Sequence, residues 1–166
     1  MTLLEIFGAQ FALSLVALSV LAVWIVGPWL AKKPTHDALF YLAAPHAFRH
    51  LGLVFLVPGV VAPSLPEYFA NPAAYGDLIA GLLAIATMVA LKRRWMFAIP
   101  LAWALNIVGV ADLANALAKA EVIPHLHAAW YIPTFVVPLL LTTHAMMLWR
   151  LGQELISPKA RPRVSA

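Results

Sequence analysis

Between Leu3 and Leu30 the chain carries one charged side chain, Glu5. A run of that length is more than the roughly 20 residues that an α-helix needs to cross the hydrocarbon core of a bilayer. Four further apolar blocks follow, separated by charged or proline-bearing punctuation. The sequence therefore predicts an all-α fold, a polytopic transmembrane helical bundle with five spans. These are drawn at about residues 3–30, 45–63, 73–91, 95–117 and 129–151, and together they make a single bundle over 1–156 followed by a basic tail, 157–166. Composition agrees. Apolar residues make up 63% of the chain and charged ones 11%, against about a quarter charged in soluble domains.

The first block ends at Ala31-Lys32-Lys33-Pro34. A cleaved signal peptide would place its basic residues ahead of the apolar run, so this block reads as an anchor that stays. Leu39-Phe40-Tyr41 is expected to lie along the interface before the second block. A polar loop from Pro63 to Pro72 is expected before the third, and Trp130, Tyr131 and Trp149 are expected interfacial anchors of the fifth. A four-span alternative, with the second block re-entrant, scrambles the charge pattern and is set aside.

With five spans, Lys32, Lys33, Arg49, Lys92, Arg93, Arg94, Arg150, Lys159, Arg161 and Arg163 fall on one side, leaving Lys119 on the other. The basic side is expected to face the cytoplasm, with the amino terminus outside, in the multi-pass arrangement of a bacterial cytoplasmic (inner) membrane protein. The net charge of +4 is explained by that flank together with anionic headgroups, so the lipid bilayer is the expected partner and nucleic acid is not. A homo-oligomer or a larger membrane complex stays open.

Cysteine is absent, which excludes disulfides, thiolate metal sites and cysteine nucleophiles. There is no glycine-rich phosphate loop, H-E-x-x-H or G-x-S-x-G, so no catalytic residue is assigned and the reading leans away from an enzyme. A lipid-acting enzyme with His50 as general base has no nucleophile or metal pattern behind it.

Ionisable residues at membrane depth carry the information, because each costs about 2.5–3.5 kcal/mol there on an insertion scale. The candidate ligand or ion path is His46, Arg49, His50, Asp77, Asn106, Asp112, Asn115 and His144. They form two expected groups. His46, Arg49 and His50, at α-helical spacings of three and four, share one face, and His144 joins them at an inner level. Asp77, Asp112 and Asn115 form an outer group, with Asn106 nearer the midplane. Plainer readings exist for each: Arg49 snorkels to headgroups, the histidines bond to carbonyls, and Asp77 caps a helix start. His125-Leu126-His127 could ligate a divalent cation if a carboxylate such as Glu121 came near. In the third block Gly76, Ala80 and Ala84, with Gly81 beside them, form a smooth face for a neighbouring helix.

The runs Arg49-His50-Leu51-Gly52-Leu53-Val54-Phe55-Leu56, Phe69-Ala70-Asn71-Pro72-Ala73 with Gly76-Asp77, Asn106-Ile107-Val108-Gly109 with Asp112-Leu113, and Pro133-Thr134-Phe135-Val136-Val137-Pro138 with His144 resemble a family of uncharacterised small multi-pass bacterial membrane proteins. The resemblance covers most of the chain after Pro45 and implies that Arg49, Asp77, Asn106, Asp112 and His144 are the residues to test. It implies no activity. Three functions remain open on the sequence: binding or conduction of a proton, ion or small solute by these buried groups; a haem b protein with His46 or His50 and His144 as axial ligands and Arg49 on a propionate; or a non-catalytic accessory membrane subunit.

Overall fold

A computed structural model describes residues 1–156. Among them there is no strand, and five helices are long and apolar enough to cross a membrane: α1 Leu3–Ala31, α2 Thr35–Leu56, α3 Glu67–Arg93, α4 Ala98–Leu117 and α5 His127–Ile156. They run up and down. One end of the bundle gathers the start of α1, the end of α2, the start of α3, the end of α4 and the start of α5 around Phe55, Phe69 and Ile123. The other end packs Leu30, Leu39, Leu91, Ala98 and Leu151. The basic tail 157–166 lies outside the described residues.

Local chemistry explains two of the ends. Thr2 and Glu5 cap α1 reciprocally, the Thr2 hydroxyl accepting from the Glu5 amide and the Glu5 carboxylate from the Thr2 amide. Arg94 closes α3 in the left-handed conformation, φ 55°. Two prolines bend the ladder in the same way. A five-residue π segment, Ala22–Val26 in α1 and Ile132–Val136 in α5, stands two residues ahead of Pro28 and Pro138 respectively. The wider turn gives the ring room that a regular ladder denies it. Gly27 is required at the first of these, since a Cβ there would stand 2.9 Å from the Ala22 carbonyl oxygen.

The bounds depart from the blocks drawn on hydropathy. α2 begins at Thr35, so Leu39 and Leu42 are core residues, and Pro45 sits where the α-helix of Thr35–Ala43 passes into a 3-10 helix over Ala44–Leu56. α3 begins at Glu67 and runs through Pro72, whose missing N–H frees only the carbonyl of the exposed Tyr68 near the helix start.

The 3-10 segment is the unusual element, because such runs seldom exceed three or four residues. With three residues per turn, side chains at i and i+3 stand in line. His46, Arg49, Gly52 and Phe55 are accordingly all buried, and Phe48, His50 and Leu51 are exposed. An α-helix would rotate each successive member by about 60°. α2 packs chiefly on α3, where Gly81 lets its backbone approach: a Cβ there would lie 3.2 Å from the His50 amide nitrogen.

Candidate functional site: a guanidinium between two carboxylates

Arg49 is the centre of the interior. Its side chain has no solvent exposure, and its donors reach two other helices: Nε donates to Asp77 Oδ1 on α3 at 2.7 Å, Nη2 to Asp112 Oδ2 on α4 at 2.5 Å, and Nη1 to the Gly109 carbonyl oxygen at 3.3 Å. Breaking such a buried ion pair leaves a stranded charge, whereas a satisfied one roughly offsets its own desolvation. Snorkelling is therefore replaced by pairing, and Arg49 leaves the cytoplasmic count of basic residues. Asp77 sits in the middle of α3, so it caps nothing.

Three glycines make the geometry fit. A Cβ on Gly52, one 3-10 turn beyond Arg49, would stand 2.1 Å from Asp77 Oδ2; one on Gly76 would stand 2.0 Å from Asp112 Oδ1. On Gly109 it would meet His144 Nε2 at 2.5 Å and Arg49 Nη1 at 3.0 Å. Gly52→Ala and Gly76→Ala should each push a carboxylate off the guanidinium. Overpacking of this kind costs about 1–3 kcal/mol, so thermal melting in detergent should fall for both and should not fall for Gly8→Ala, where nothing lies within 4 Å.

Behind Arg49 the polar interior continues. His144 Nδ1 is 2.9 Å from Asn106 Oδ1, and Asn106 Nδ2 donates to the Ala102 carbonyl oxygen at 2.8 Å. His46 Nε2 is 3.0 Å from the Thr143 hydroxyl. The two imidazoles touch, with ring centroids 4.0 Å apart, while His46 Nδ1 and His144 Nε2 are buried without a partner. The expected inner and outer groups are thus one continuous group, joined by the reach of the arginine side chain.

Two candidates stand apart. His50 is exposed, with Nδ1 on the Ala47 carbonyl, because the 3-10 period carries it off the His46–Arg49 line. Asn115 is exposed and accepts from Lys119 at 3.1 Å, not from Asp112. Thr143, Gly52 and Gly109 belong to the site and were not among the candidates. The signal for the glycines was adjacency: each stands one or three residues from an ionisable or amide side chain on the site.

On its other side the ionic centre faces a cavity of about 80 Å³, room for several waters. Asp77, Asp112 and Lys119 line it together with Phe7, Phe55 and Leu113. The bis-histidine haem arrangement does not fit with His46, and His50, the other candidate, is exposed with Nδ1 on the Ala47 carbonyl. Axial ligands approach one iron from opposite faces of a macrocycle, whereas His46 and His144 are in contact with each other, and the guanidinium that would hold a propionate is occupied by two aspartates. Nor does the H-x-H pair assemble with acids: His125 Nδ1 is bonded to the Ser64 hydroxyl at 2.9 Å, and Glu121 accepts from Tyr68 at 3.0 Å. Among the described residues no three His, Asp or Glu side chains are placed to share a metal ion.

Five helices of membrane-spanning dimensions around an internal guanidinium and two carboxylates define the class: an apolar helical bundle with a buried ionic centre. The chain belongs to the family described as Domain of unknown function (DUF8737), which matches residues 6–152 and so includes α2, α3 and α4, most of α1 and α5, and every residue of the centre. No curated protein and no solved structure matches it.

Proposed function

We propose that the chain is an integral membrane protein that binds and relays a proton through the Arg49–Asp77–Asp112 centre, with His144, Asn106, His46 and Thr143 continuing the path. One observation carries this. A single buried guanidinium lies between two carboxylates, a balance of +1 against −2, so the centre holds one negative charge in excess unless it takes up a proton or a monovalent cation. Lys119 lines the same cavity and offsets that charge in part, its ammonium donating to Asn115 and to neither carboxylate. The cavity supplies an approach to the carboxylates, and the two imidazole nitrogens without partners supply acceptors or donors beyond the guanidinium. Infrared difference spectra between acid and alkaline pH should contain, besides the changes of the other carboxyl groups, one carboxyl protonation change per chain that is absent from the Asp77→Asn/Asp112→Asn double variant. Identical difference spectra in the two proteins would refute the proposal.

The same ion pairs tie α2, α3 and α4 together, which favours a second reading, an accessory subunit whose polar groups only hold helices. Asp112→Asn separates the two.

The chain is read as one bundle over 1–156. Lys32, Lys33, Lys92, Arg93, Arg94 and Arg150 stand at one end and Lys119 at the other, an asymmetry that supports a cytoplasmic carboxy terminus and an outside amino terminus in a bacterial inner membrane even with Arg49 removed from the count. A reporter active only in the cytoplasm should work when fused after Lys33, Arg94 or Ala166 and fail after Ser64 or Ala120. Activity at Ser64 as well as at Lys33 would mean that α2 does not cross.

A further inference from the structure

Away from the ionic centre, a crevice of about 780 Å³ opens sideways between α1, α2 and α5. It exists because small residues on the three helices, Ala22 and Ala31, Ala38, and Ala145, leave the space unfilled. Its lining is almost wholly apolar until its basic end, where Trp149, Arg150 and Gln153 stand. It is also long. Leu15 and Ala31 are 16 residues apart, about 24 Å along α1, and Leu141 and Gln153 are 12 apart, about 18 Å along α5. Half the hydrocarbon thickness of a bilayer is about 15 Å, so the slot accommodates one acyl chain lying along the helices from an interface to the midplane.

The head of the slot is cationic. Arg150 Nη2 donates to the Lys33 carbonyl oxygen at 2.7 Å, which fixes the guanidinium at the mouth, and Arg150 Nε is buried without a partner. Lys32 and Lys33 occupy the adjoining turn, with the Lys33 ammonium over the Trp29 ring at 4.3 Å. The carboxylates at this end are engaged elsewhere: Glu154 accepts from the Thr35 hydroxyl, and Asp37 faces Arg94 at 3.9 Å. Neither lines the crevice. A long apolar slot headed by a guanidinium with a spare donor is complementary to an amphiphile with an anionic head.

We infer that the crevice between α1, α2 and α5 is a binding site for an anionic phospholipid, one acyl chain lying in the slot and its phosphate on Arg150 with Lys32 and Lys33 beside it. This site is independent of the proton path.

Native mass spectrometry of the full chain in detergent tests it, with phosphatidylglycerol and phosphatidylcholine of equal chain length and glycerol phosphate as a head without chains. The expected result is one phosphatidylglycerol retained per chain, favoured over phosphatidylcholine by about fivefold or more, with no glycerol phosphate retained. Arg150→Gln should bring phosphatidylglycerol down to the phosphatidylcholine level. Ala145→Phe, which fills the slot, should remove both lipids. Ser19→Phe fills it from α1 and serves where Ala145→Phe yields no folded protein. Equal retention of the two lipids by the unaltered chain, a headgroup preference that survives Arg150→Gln, or lipid retained with the slot filled overturns the inference. So does glycerol phosphate bound as well as the lipid. A lipid-free dimer that Ala145→Phe dissociates would assign the crevice to a second copy of the chain instead.

Discussion

Arg49→Ala is expected to lower the stability of the bundle by about 3–5 kcal/mol, the cost of removing one partner from a buried ion pair, and so to reduce sharply the yield of folded protein in detergent. The loss follows from what remains. Asp77 and Asp112, from two different helices, would face each other across an unfilled space with no cation, and the Gly109 carbonyl would lose its extra donor. Lysine should not substitute well, because its three donors sit on one nitrogen and cannot span acceptors on two helices that Arg49 reaches from Nε, Nη1 and Nη2. The triple variant Arg49→Met/Asp77→Asn/Asp112→Asn removes all three charges together and should recover folded protein without recovering proton binding. Thermal melting of the purified variants checks both statements. A wild-type melting curve for Arg49→Ala would mean that the ion pairs do not hold α2, α3 and α4 together.

Asp112→Asn should do the opposite, sparing the fold and abolishing the function. The amide keeps the shape and an oxygen to accept from Arg49 Nη2, and it leaves one guanidinium against one carboxylate, a balance of +1 against −1. Folded yield and melting should match the unaltered chain, while any proton response that the unaltered chain gives should disappear. His50→Ala and Asn115→Ala are the controls. Both residues are exposed and outside the centre, so both variants should behave like the unaltered chain. If Asp112→Asn also does so in every assay where a response is detectable, the accessory-subunit reading takes the place of the proton relay.

The five apolar helices are legible in the sequence because hydropathy persists over 20 or more residues whatever the local ladder does. Their ends are less so. Pro45 and Pro72 read as boundaries, yet Pro45 sits at the join of two helix types and Pro72 in the second turn of α3, both positions where a missing N–H is inexpensive. The site is legible as residues and misread as an arrangement. His46, Arg49 and His50 look like one face at 3.6 residues per turn; at 3.0 the line is His46, Arg49, Gly52 and Phe55, and His50 falls outside. Nothing in the local sequence announces 13 residues of 3-10 helix. The run lines up Arg49 with Gly52, whose missing side chain admits Asp77, so tertiary contact and not propensity accounts for its fit. Gly76 reads as a packing residue beside Ala80 and Ala84, and its space is in fact filled by Asp112. The joining of inner and outer groups depends on the length of one arginine side chain, which spacing along separate helices does not reveal.

If the interior charge centre passes protons, potential will drive proton entry into vesicles reconstituted with the purified chain and loaded with a pH-sensitive dye. A potassium diffusion potential, inside negative, should acidify vesicles that contain the unaltered chain and leave those that contain Asp112→Asn at the rate of empty vesicles. Acidification no faster than in empty vesicles, or equally fast with Asp112→Asn, would contradict proton passage through the centre.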